Sequence, residues 1–133
     1  MNTDFRDLEE LAKNRFGEVF VPGEYNSFSL LLDSGTISFF HANGDSEGNV
    51  FIRAKILDIS ELRRPGEFAK AALAGNFFWS GTSGATISAD DDAFYLTERR
   101  SLDEFADDES LMNSLDEFSS ALTDWRERSV LYA

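Results

Sequence analysis

The chain has 133 residues, with 12 basic and 25 acidic side chains and a net charge of −13, and it is long enough for one domain with its own core. It has no cysteine, which excludes disulfides, thiolate metal sites and cysteine nucleophiles. The acidic balance argues against nucleic acid and against anionic membrane surfaces, because both are held by cationic groups.

The opening Met1-Asn-Thr-Asp-Phe-Arg-Asp7 lacks the basic and apolar regions of a signal peptide. No apolar run approaches the roughly 20 residues of a membrane span, so the expected setting is the cytosol. Aromatic residues make up 14% of the chain, thirteen of them Phe, too many for a disordered acidic tail.

The first element expected is a helix from about residue 3 to 16, with Phe5, Leu8, Leu11 and Ala12 at helical spacing. Asn2 or Thr3 can cap it, and Gly17 stands where a left-handed C-terminal cap is expected. Val19-Phe-Val-Pro-Gly23 reads as a connector. Three strands follow, over residues 27–32, 36–40 and 49–57. Asp33-Ser-Gly35 joins the first pair, and a polar loop from His41 to Gly48 joins the second. The third strand alternates Arg53 and Lys55 against Ile52, Ala54 and Ile56, as in an antiparallel meander with one polar face. The first two alternate less cleanly, since Leu30–Leu32 and Phe39–Phe40 put apolar residues on both faces. A sheet apolar on both faces needs a second cover, from its own helices or from a partner.

Pro65 suits the first turn of a second helix running to about Trp79, with Phe68, Ala71, Ala72 and Gly75 on one side. Residues 82–89 and 94–100 form a hairpin across Asp90-Asp-Asp92. The closing helix places Leu111, Leu115, Phe118, Leu122 and Trp125 at steps of 4, 3, 4 and 3, opposite an acidic face. Its start is marked by Ser101…Glu104, a capping-box pattern, or by Asp107 or Asp108.

Phe77, Phe78 and Trp79 stand side by side among small and Gly-rich residues. Three adjacent large aromatics cannot all enter one core, so at least one is expected on another surface, where aromatics favour buried contacts between partners. The same run also suits a helix end packed in its own core.

The search for chemistry is mostly negative. His41 is the lone histidine; with Asp45 and Glu47 it could gather a cation, but a solvated loop is the plainer reading. Asp90–Asp92 lacks the ligand spacing of an EF-hand loop. Gly81 and Gly84 are not followed by the Gly-Lys-Ser/Thr of a phosphate loop. Asp116-Glu117 falls on the polar helix face. No enzyme and no cofactor are expected.

The second helix with Phe77-Phe-Trp-Ser-Gly-Thr-Ser-Gly-Ala-Thr86, the 94–100 strand, Ser101-Leu-Asp-Glu-Phe105 and Leu115-Asp-Glu-Phe118…Trp125-Arg126 resembles the class I type III secretion chaperones, of the Tir-chaperone type. Ser83 stands where family members often carry a second glycine. The resemblance spans the whole chain, 1–133, as a single α+β domain: helix, three-stranded antiparallel meander, helix, two strands, C-terminal helix. It implies a homodimer in the bacterial cytoplasm that binds the N-terminal region of secreted effectors, keeps it export-competent and engages the secretion-system ATPase. It places a dimer interface at the second helix and the strand after it, with Phe77, Phe78 and Trp79 as contributors. It places an effector groove on the first helix and the meander, drawing on Phe5, Leu8, Leu11, Phe28, Leu30, Leu32 and Phe39, of which a minority should stay exposed. Two other classes fit the composition: a non-catalytic dimeric regulator that sequesters a protein of the secretion system, and a hydrolase built around His41.

Overall fold

The computed structural model describes residues 4–41, 48–77 and 84–133. Helix α1 runs Phe5–Phe16, α2 Pro65–Asn76 and α3 Asp108–Ser129; the strands are β1 Phe20–Pro22, β2 Ser27–Leu32, β3 Gly35–His41, β4 Asn49–Asp58, β5 Thr86–Ala89 and β6 Ala93–Ser101. All six strands join one antiparallel sheet in the order β1-β2-β3-β4-β6-β5. The expected meander and hairpin are therefore halves of a single sheet, welded by the long β4–β6 ladder from Asn49↔Ser101 to Asp58↔Ala93.

The local chemistry of each element differs from expectation at a few points. Asp4, not Thr3 or Asn2, caps α1: its carboxylate accepts from the Asp7 N–H at 2.9 Å and the Asp7 carboxylate accepts from the Asp4 N–H at 3.3 Å. A reciprocal pair three residues apart satisfies two orphan donors at once. The Val19–Gly23 stretch is not merely a connector, since Phe20–Pro22 pairs with β2 as a short edge strand. Pro22 is tolerated there because one side of an edge strand has no ladder to donate to. Helix α2 stops at Asn76, with Phe77 as its C-terminal cap; Phe78 and Trp79 lie outside the described residues. At the last helix both start signals operate in turn. Ser101 and Glu104 box a short 3-10 turn, and Asp107 then caps α3 by accepting from the Ser110 N–H at 2.8 Å.

Strand alternation assigns the two sheet faces. Phe28, Leu30, Ile37, Phe39, Val50, Ile52, Ala54 and Leu96 point to one side and are buried there under α3 and α1. The expected stripe of α3 is the other half of this core: Leu111, Leu115, Phe118, Leu122 and Trp125 are each at most 3% exposed. Between Lys55 and Leu57 the β4–β6 register slips by one, so Ile56 and Leu57 both pack on the core.

Arg126 uses this bulge. Its Nη2 donates to the Lys55 carbonyl at 2.8 Å, its Nε to the Ile56 carbonyl at 3.3 Å, and its Nη1 to the Ser34 carbonyl in the β2–β3 turn. One guanidinium thus ties the last turn of α3 to the β2–β3 turn and to the β4 bulge. Gly35 makes room for it, since its φ is +117° and a Cβ there would stand 2.8 Å from Nη2.

Phe118 is fully buried at the centre of the α3 stripe. Phe118→Ala should cost about 3–5 kcal/mol of stability, the usual loss for a truncated core Phe. Chemical denaturation checks this, and an unchanged midpoint would contradict the stripe.

Candidate functional site

Helix α2 packs inward through Phe68, Ala72 and Gly75. Phe68 is the hub of this packing, meeting the rings of Phe94, Trp125 and Tyr132 edge-on at centroid distances of 4.9, 6.0 and 5.6 Å. The same helical period turns Leu73 and Phe77 outward, where they are 70% and 69% exposed. An apolar cleft of about 180 Å³ opens beside them, lined by Ala69, Ala72, Leu73, Ile87, Ala89 and Phe94. Strand β5 forms its far wall and is, among the described residues, an edge strand of the sheet.

That edge is partly blunted. The Asn76 side-chain amide donates to the Ile87 carbonyl, and its oxygen accepts from the Ile87 N–H, both at 2.9 Å. Asn76 occupies the two backbone groups that an incoming strand would take at this position. The surface is therefore suited to side-chain packing more than to strand addition at Ile87. Sequence reasoning singled out Phe77 but missed Leu73 and Asn76. The i,i+4 spacing of Leu73 and Phe77 was the available signal.

The residues expected to line an effector groove are mostly inside. Phe5, Leu8, Phe28, Leu30 and Phe39 are at most 5% exposed, and Leu11 and Leu32 are half-buried. Phe28 stacks on Phe39 with ring centroids 4.7 Å apart, and Phe5 meets Phe28 at 5.7 Å. Alternation explains this, because Phe28, Leu30 and Leu32 share the core face. In this region the accessible apolar side chains are Val21, Tyr25 and Leu31, at 39%, 86% and 49% exposure.

Among the described residues no cluster of His, Asp and Glu is arranged to hold a metal ion. The His41 ring is half-buried and stacks on Phe5 at 5.4 Å, while Asp45 and Glu47 lie outside the described residues. Asp90 serves the β5–β6 turn: its carboxylate accepts from the N–H groups of Asp92 at 2.8 Å and Ala93 at 2.9 Å, and from the Tyr95 hydroxyl at 3.2 Å. Those backbone donors hold its carboxyl below the usual aspartate range.

One buried charge cluster breaks the apolar core. Arg100 points from β6 toward α3, donating to the Ser114 hydroxyl at 3.1 Å and to the Glu117 carboxylate at 3.0 Å. The Glu98 carboxylate lies against its Nε without hydrogen-bond geometry. Burial pushes the Glu98 carboxyl above its ordinary range, although Arg100 pulls it down. The folded state therefore holds this proton more tightly than the unfolded state. Glu98 weakens folding as the pH rises through that window and ceases to do so as the pH falls.

Residues 8–126 match the model of the Tir chaperone protein (CesT) family, so the chain belongs to that family of type III secretion chaperones. Two solved structures show the same fold. A chain of the ExsC–ExsE complex superposes with a TM-score of 0.74 at 16% identity, covering 97% of each chain. A chain of the HopA1–SchA chaperone–effector complex gives 0.62 at 9% identity, covering 92% of this chain and 94% of that one. No significant match was found among the curated proteins.

Arg100→Met should cost about 3–5 kcal/mol near neutral pH by leaving Glu98 buried without its partner. Adding Glu98→Gln should recover most of that loss, and acidification should shrink it in the single variant. Denaturant melts across pH test this, and a deficit independent of pH would contradict it.

Proposed function

We propose that this protein is a non-catalytic, cytoplasmic homodimer that binds the N-terminal segment of a type III secreted effector and keeps it soluble and ready for export. The observation that carries the reading is the exposed apolar surface of a family member: Leu73 and the cleft between α2 and β5. A second copy, packing there by two-fold symmetry, would remove these side chains from water. Phe78 and Trp79 would follow Phe77 into that interface.

The effector segment, unable to bury much surface alone, would lie extended on the chaperone. The support for this is the side of the sheet left uncovered by the described helices, where Val21 and Leu31 are open, together with the β1 edge beside α1. Leu11, the half-buried member of the expected groove on α1, would border the β1 edge of that path. The net charge of −13 would keep such an apolar surface soluble. Delivery to the secretion-system ATPase would follow binding.

Light scattering of the purified chain should give twice the mass of one chain, and Leu73→Asp should halve it while leaving the circular dichroism spectrum unchanged. A monomeric wild type would overturn the dimer. Co-expression with the N-terminal segment of a secreted protein encoded beside this one should yield a stable complex, and failure of such segments to co-purify would count against the effector reading.

A further inference from the structure

The sheet face opposite the helices has a composition unlike the rest of this acidic chain. Its outward positions on β2 and β3 are Ser27, Ser29, Leu31, Thr36, Ser38 and Phe40. On β4 before the bulge and on β6 they are Asn49, Phe51, Arg53, Lys55, Tyr95, Thr97, Arg99 and Ser101. Three cations sit among them and no carboxylate does, although acidic residues outnumber basic ones by 25 to 12 in the whole chain. A depression of about 420 Å³ lies on this face, lined by Phe40, Phe51, Arg53, Asp90, Tyr95 and Thr97.

Arg53 is built into that depression. Its guanidinium stands 5.0 Å from the Phe40 ring centroid and 5.2 Å from that of Tyr95, held between two aromatic faces. Among the described residues neither Arg53 nor Arg99 makes an ion pair, whereas Lys55 is engaged by Asp58 at 3.0 Å. Asp90, the one carboxylate at the rim, is occupied by the turn N–H groups and by the Tyr95 hydroxyl. The depression thus offers one guanidinium outside any ion pair, flanked by aromatic rings and by hydroxyls on neighbouring strands, with Arg99 on the same sheet face.

We infer that this outward face selects an acidic, aromatic- or aliphatic-containing stretch of the bound polypeptide, with Arg53 and Arg99 receiving its carboxylates and Phe40, Phe51 and Tyr95 its apolar side chains. The inference rests on the effector-binding reading above and adds the chemistry of the segment that is bound. A planar guanidinium held in place by rings gives up little freedom when it takes a carboxylate. Elsewhere the chain's own negative charge repels an acidic client, so this face is where such a stretch can settle. The charge pattern also disfavours a basic segment here, which would meet Arg53, Lys55 and Arg99, with the Asp90 carboxylate already occupied by its own turn.

The test uses the full chain and three fluorescein-labelled peptides of one length and one set of apolar residues, with Glu, Gln or Lys at the remaining positions. By fluorescence anisotropy the Glu peptide should bind about tenfold more tightly than the Lys peptide. Added salt should erode that advantage. Arg53→Gln and Arg99→Gln should remove most of it, and Thr97→Glu should abolish it, all with a cooperative thermal unfolding transition retained because these side chains lie on the solvent side. Equal affinity for the Glu and Lys peptides, or a preference untouched by Arg53→Gln, overturns the inference. If the Gln peptide binds as well as the Glu peptide, charge selection fails while the effector reading stands; if no peptide binds, both fail. A single-stranded oligothymidylate that outcompetes the Glu peptide would assign the face to nucleic acid, and dissociation of the dimer by Thr97→Glu would assign it to a second copy. Either result overturns the proposal.

Discussion

The spacing between α2 and α3 depends on a close contact between one indole and one bare stretch of backbone. Trp125 is 1% exposed, and a Cβ added to Gly75 would stand 2.5 Å from its Cζ2 and 2.9 Å from its Cη2. The indole has little freedom to retreat, because Phe68 meets it edge-on and the Arg128 guanidinium lies 4.6 Å from its ring centroid. One residue further along, Arg126 grips the β2–β3 turn and the β4 bulge. The end of α3 therefore sets where α2 lies and where the sheet lies, and neighbouring residues perform the two tasks.

The architecture that results is lopsided. Among the described residues, α1, α2 and α3 cover one face of the six-stranded sheet and leave the other face and the α2–β5 edge open. Such a domain buries enough on one side to fold, yet keeps apolar side chains such as Leu31 and Leu73 outside. Leu73 and Phe77 point outward because Phe68, Ala72 and Gly75 have taken the inward side of α2. The high negative charge is carried by the helices and loops, while the uncovered sheet face is hydroxyl-rich, aromatic and basic. The α2–β5 surface and the uncovered sheet face of this Tir-chaperone family member therefore differ in chemistry.

Much of this was legible in the residues themselves. The α3 stripe, the start of α2 at Pro65 and the alternation of β4 are local periodicities, and each is where the sequence puts it. The joining of meander and hairpin was not legible, because the β4–β6 ladder links residues about forty positions apart and no local pattern encodes that pairing. Strand β1 was hidden by Pro22-Gly23, whose turn signal outweighs three residues of edge pairing. The two-sided apolar pattern of β2 suggested a groove, whereas Leu31 alone faces outward and Phe28 and Leu30 are core. At the candidate sites, Phe77 was visible as a surplus aromatic. The latch between Asn76 and Ile87 requires knowledge of which strand ends beside α2.

The Trp125–Gly75 contact can be tested by the sign of a stability change. In a helix without close neighbours, Gly→Ala stabilises by about 0.5–1 kcal/mol through backbone entropy. Overpacking of a filled core typically costs about 1–3 kcal/mol, so Gly75→Ala should destabilise the native protein. The same change made in a Trp125→Leu background should be neutral or stabilising. A double-mutant cycle by denaturant unfolding that showed this reversal would establish the contact as the spacer between α2 and α3, and equal, additive effects in the two backgrounds would contradict it.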